Sequence, residues 1–103
     1  MEDTEKIIQT AILAIEEVTV LFYQQQENLG YNKLNLTLNK IELALNEIFR
    51  LKNDNNEIQI DEQKIIGRLS DAMEALAIKD SVLLADILQY EIAEQFKNII
   101  EQL

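Results

Sequence analysis

The chain has no cysteine, no histidine and no proline, and only two glycines among 103 residues. Without cysteine there is no disulfide, no thiolate metal site and no thiol nucleophile. Without histidine there is no phosphoacceptor of the kind used by histidine phosphotransfer bundles. The Glu-x-x-His pair of di-iron bundles and a Ser-His-Asp triad are excluded on the same ground. Poverty in glycine and proline disfavours a fold with many tight turns and favours long helices. No apolar run reaches the ~20 residues that span a bilayer. Glycine-rich phosphate loops and the P-loop lysine motif are also missing. Residues 1–25 open with Glu2, Asp3 and Glu5 rather than with a basic segment before an apolar stretch, so no secretory signal is expected.

Positive charge is the scarcer sign. Nine Lys and Arg face nineteen Asp and Glu, for a net charge of −10. A surface of that sign repels nucleic-acid phosphates and anionic lipid, and it suits solubility or a basic partner. With 48% apolar residues and 27% charged, the chain reads as one globular domain in the cytoplasm.

The apolar residues that are present recur at helical spacing. In the last quarter, Val82, Leu83, Leu84, Ile87, Leu88, Ile92, Phe96, Ile99, Ile100 and Leu103 form a stripe behind Asp80, a good N-cap. Ile7, Ile8, Ala11, Ile12, Ile15, Val18 and Phe22 form a first stripe. Leu34, Leu38, Ile41, Leu45, Ile48 and Phe49 form a second. Ile65, Ile66, Leu69, Ala72, Met73, Leu76 and Ala77 form a third. The expected helices cover about 4–27, 33–52, 62–78 and 81–102, with Asp3 or Thr4 capping the first. Gly30 is expected to close the first helix in the left-handed conformation, with Asn32 capping the second and Tyr31 stapled to Leu36. A loop over Asn53–Ile60, with Asn56 at its centre, leads to Asp61 as the third cap, and Lys79-Asp80 makes the last turn. Short connections make neighbours antiparallel, so the expected fold is an all-α, up-down-up-down four-helix bundle.

Function is weakly marked. The Asn53–Glu62 segment is rich in oxygen ligands, but neither register beginning at Asn53 or Asp54 places a glycine sixth, so it reads as a structural turn and not as a calcium loop. No cofactor or metal site is expected. Leu13 and Val20 lie off the first stripe and seven apart, and Leu36 and Leu43 repeat that pattern on the second helix. A second apolar face on two neighbouring helices suggests a surface for a second copy or a partner helix.

The run Ala75–Ile92 resembles the C-terminal hairpin of a family of small bacterial helical proteins of unknown function. There a "D…LADLLEYEL"-like stretch follows a helix of alanine and leucine. The matching positions are Asp80, Leu84, Ala85, Asp86, Ile87, Leu88, Tyr90, Glu91 and Ile92. The resemblance implies an uncharacterised family and supplies no activity. It also implies a role for Asp86, Tyr90 and Glu91, such as hydrogen bonding between helices. The sequence therefore points to a non-enzymatic protein acting through protein–protein interaction, as a homodimer or small adaptor. The alternatives are an acidic chaperone for an exported or flagellar protein, an antitoxin or DNA-mimic inhibitor, and an enzyme with an acid site near Glu91.

Overall fold

The computed structural model describes residues 2–55 and 57–103; Asn56 of the expected loop and the side chain of Glu2 lie outside them. Four helices and no strand make up the described residues. They are α1 (Glu2–Tyr23), α2 (Glu27–Asp54), α3 (Glu62–Ala77) and a fourth helix in three consecutive stretches. Those stretches are α4 (Ser81–Asp86), a π-helical turn (Ile87–Ile92) and α5 (Ala93–Gln102). The bundle runs up-down-up-down. The N-terminal end of α1 meets the C-terminal end of α2 through Thr4 and Glu47, and α1 runs antiparallel to the fourth helix through Thr19–Gln89 and Tyr23–Asp86.

The first reversal differs from the sequence expectation. The chain turns at Gln24–Gln26, not at Gly30, so α1 ends earlier and α2 begins earlier than 4–27 and 33–52 imply. Gln25 takes the left-handed conformation with φ 62°, and neither glycine has a positive φ. The Gln26 N–H donates to Leu21 O at 2.9 Å and the Gln25 N–H to Phe22 O at 3.1 Å. That is the Schellman closure of a helix end. The turn after α3 repeats it: Lys79 has φ 57°, with Asp80 N–H bonded to Ala75 O at 2.9 Å and Lys79 N–H to Leu76 O at 3.1 Å.

Gly30 serves packing instead. It is buried in the first turns of α2, and a Cβ there would lie 2.6 Å from Cε1 and 2.8 Å from Cδ1 of Phe22. The Phe22 ring therefore rests on the bare α2 backbone. Tyr31 meets it edge-on, ring centroids 5.0 Å apart, rather than stapling Leu36; Asn32 lies inside the helix and is no cap. An aromatic pair of this geometry adds roughly 0.5–1.5 kcal/mol beyond its buried area. Small residues continue the close approach, with Ala11 and Ala14 of α1 and Ala44 of α2 all buried. The α1–α2 contact is the most extensive between any two helices.

Thr4 lies inside α1 and is no cap. Its buried hydroxyl donates to Glu47 Oε1 at 2.9 Å, and Arg50 Nη2 bonds the same carboxylate oxygen at 2.6 Å. The other two expected caps are in place. Asp61 accepts from the Lys64 N–H at 3.0 Å and Asp80 from the Leu83 N–H at 3.1 Å. The connection between the hairpins is pinned by the Gln102 side chain, which accepts from Gln59 N at 2.6 Å and donates to Gln59 O at 2.8 Å.

All four helices contribute to one core, whose largest members are Phe22, Phe96, Ile8, Ile15, Ile48, Leu84, Leu88, Ile92 and Ile99. The stripes of α1 and α2 are buried or half-buried as expected. Those of the second hairpin are narrower than expected. Ile66, Met73 and Ala77 of α3, and Val82, Leu83 and Leu103 after it, are exposed. In α3 the reason is the packing: it lies closely along the fourth helix alone, so Ile66, Met73 and Ala77 have no second helix to cover them.

The two glycines should respond in opposite directions to the same substitution. Gly30→Ala drives a methyl into a buried ring and is expected to cost about 1–2 kcal/mol, overpacking outweighing the gain in helix propensity. Gly67 has open space where its Cβ would stand, so Gly67→Ala should stabilise by about 0.5–1 kcal/mol. Urea unfolding of both variants checks this; equal effects would mean that the Phe22–Gly30 contact does not exist in solution.

Candidate interaction surface

The four off-stripe residues are all in water. Leu13 is 60% exposed, Val20 48%, Leu36 59% and Leu43 60%. Each sits in a helix whose buried face points elsewhere, and helical geometry sends it outward. Leu43 borders a shallow groove of about 420 Å³ with Lys6, Ile7, Thr10 and Lys40. Leu36 borders a second of about 250 Å³ with Ala14, Glu17, Lys33 and Lys40. Leu13 and Val20 line neither groove. The outward side of the α1–α2 hairpin thus carries apolar side chains among charges of both signs, tied across the helices by Lys33 Nζ and Glu17 Oε1 at 2.7 Å.

The polar set Asp86, Tyr90 and Glu91 does not converge. The Tyr23 hydroxyl donates to Asp86 Oδ1 at 2.5 Å, joining α1 to α4. Glu91 turns the other way and faces Arg68 Nε of α3 at 3.7 Å. Tyr90 is exposed between them. Two of the three are therefore inter-helix contacts, each to a different helix. Gln95, one helical turn after Glu91, lines a separate small groove with Gln59, Asp61 and Lys64.

Sequence reasoning missed two features. The first is the π-helical turn, which begins just after Asp86 and contains Tyr90 and Glu91. It buries Ile87, Leu88 and Ile92 and brings the Gln89 side-chain amide to the buried Thr19 hydroxyl at 3.1 Å. Such wide turns are frequent at functional sites. The second is a groove of about 590 Å³ between α3 and the fourth helix. Ile78, Leu83 and Ile87 form its apolar part, and Arg68, Asp71, Glu74 and Glu91 its polar part. Ile78 and Leu83, on either side of the Lys79-Asp80 turn, are its exposed apolar residues, and their helical spacing gave no sign of that exposure.

Two of the oxygen-bearing side chains of the Asn53–Glu62 segment bond locally, Asp54 accepting from Arg50 Nη1 at 3.2 Å. Asn55 Oδ1 accepts from Glu57 N at 3.0 Å, and Lys52 Nζ donates to Ile58 O at 2.8 Å. Among the described residues no cluster of three or more His, Cys, Asp or Glu is arranged to hold a metal, and no helix is long and apolar enough to cross a membrane.

The model of a family described as a domain of unknown function, DUF8042, matches residues 1–102. The chain belongs to that family. The match spans both hairpins, and the expectation of an uncharacterised family is met. No curated protein and no solved structure matches the chain.

Burial, and then the hydrogen bond to Asp86 with that carboxylate's charge, push the Tyr23 phenol well above its ordinary value of 10.0. Tyr31 is raised as well, by burial and then by the charges of Glu27 and Asp80. A group whose folded pKa is raised contributes stability that is complete below its unfolded pKa and lost as pH rises towards the folded value. Alkaline absorbance titration should therefore show tyrosine ionisation in the native chain lagging behind the urea-unfolded chain above pH 10. Tyr23→Phe should remove part of the lag and cost about 0.5–1 kcal/mol at neutral pH. Superimposable titrations would mean that the Tyr23–Asp86 bond does not persist in solution.

Proposed function

We propose that the chain works by binding protein, in the cytoplasm and without catalysis, and that its first partner is a second copy docked through the outward side of α1 and α2. The observation that carries this reading is the exposure of Leu13, Val20, Leu36 and Leu43 on two adjacent, firmly packed helices. Exposed apolar residues scattered singly need no explanation, but two pairs on neighbouring helices, each pair one heptad apart, supply a face.

Charge favours a second copy as occupant. Two chains of net charge −10 repel one another, so self-association needs a face that is locally balanced. The two grooves of this face carry Lys6, Lys33 and Lys40 against Asp3 and Glu17. Charges of both signs on one patch allow the patch to complement itself across a two-fold axis. The size also suffices. Two helices side by side present a face about 20 Å wide, and 22 residues extend it to about 33 Å. That is of the order of the ~800 Å² each partner buries in a standard interface.

Light scattering across a dilution series should give twice the chain mass. The double variant Leu13→Glu, Leu36→Glu should raise the dissociation constant by roughly two orders of magnitude, about 3 kcal/mol, with helicity by circular dichroism unchanged. A monomer at every concentration would refute self-docking. A double variant that unfolds would place these residues in the core and remove the face.

A further inference from the structure

The groove between α3 and the fourth helix differs in chemistry from the outward side of α1 and α2. Its apolar surface is graded: Ile87 is 8% exposed at the floor, while Leu83 at 43% and Ile78 at 71% stand in the walls. Its polar residues are three carboxylates, Asp71 and Glu74 from α3 and Glu91 from the π turn, against one guanidinium. Arg68 is shared between two of those acids, at 2.8 Å from Asp71 and 3.7 Å from Glu91. Among the described residues Glu74 has no cationic partner. The groove is apolar at its base and net negative at its edge.

We propose that this groove is the docking site for a cationic amphipathic helix of a different protein. Apolar side chains at i, i+3/i+4 and i+7 of that helix would lie on Ile78, Leu83 and Ile87, and its lysines or arginines over Asp71, Glu74 and Glu91. This is the helix-in-groove mode of recognition, with charge setting the partner. A second copy is the wrong occupant. Groove against groove sets carboxylates against carboxylates, and groove against the lysine-bearing α1–α2 side is a heterologous contact, which builds rings or open filaments rather than the two-fold dimer proposed above. Phosphate-bearing ligands are repelled by the same carboxylates. The proposal rests on the reading of the chain as a protein-binding bundle and adds to it the surface and the partner's chemistry.

The test uses the full chain, labelled with ¹⁵N, and a synthetic peptide of roughly five helical turns with leucine on one face and lysine on the other. A peptide with glutamate in place of lysine serves as the control. Amide shifts on adding the Leu/Lys peptide should map to Arg68–Ile78 and Leu83–Glu91, and the Leu/Glu peptide should leave the spectrum unchanged. By fluorescence anisotropy, Leu83→Ser and, separately, Glu74→Lys should each weaken binding at least tenfold, while Leu36→Ser leaves it as it was. Both sites are exposed, so the folded spectrum should survive in both variants. Shifts centred on Leu13 and Leu36, or binding indifferent to both Leu83 and Glu74, would overturn the groove and leave the self-association reading standing. A chain that is monomeric at every dilution yet takes the peptide in the groove would do the reverse.

Discussion

The Phe22 ring lies directly on the backbone of Gly30, and the rest of the bundle depends on that contact. It sets how closely the start of α2 passes the end of α1, and Ala11, Ala14 and Ala44 continue the close approach. Small residues at this contact let the two backbones approach closely. Ile8, Ile15 and Phe22 reach the shared core with Leu88, Ile92 and Phe96, and the outward leucines are left with nothing to cover them. The missing Cβ of Gly30 thus gives the Phe22 ring its place in the first hairpin.

The parts of the fold visible in the sequence are those governed by local periodicity and local hydrogen bonds. Asp61 and Asp80 cap as their positions imply, and the stripes of α1 and α2 are buried or half-buried as their helical spacing implies. What escaped depends on partners distant in sequence. Gly30 looked like a stop signal because glycine is the usual left-handed residue, but nothing local reveals a phenylalanine packed against it. Gln25 and Lys79 take the left-handed role although neither residue type announces it. The outward exposure of Leu13, Val20, Leu36 and Leu43 was legible from angle alone. The groove beside α3 was not, since Ile66, Met73, Val82 and Leu83 fit a buried stripe until the helix order is known.

The two surfaces divide the labour of a strongly acidic chain. Three of the seven lysines line the outward grooves of the first hairpin, and three carboxylates line the apolar groove of the second. A uniform negative surface would keep the protein soluble but give it no means of choosing. Segregation lets one face tolerate its own image while the other selects for the opposite sign. Asp86, just before the π turn, accepts from Tyr23 of α1, and Glu91, within it, faces Arg68 of α3.

The two Schellman turns also bear on how the chain reaches this shape. Each closes within six residues, and each joins helices that pack together along their length. Contacts between the hairpins unite residues far apart in sequence, Thr19 with Gln89 across the seam of α1 and the fourth helix and Ser81 with Glu27 of α2. Loop closure over such spans costs more entropy than either turn, and Phe22, at the last turn of α1 and in the core that both hairpins share, contributes to both kinds of contact.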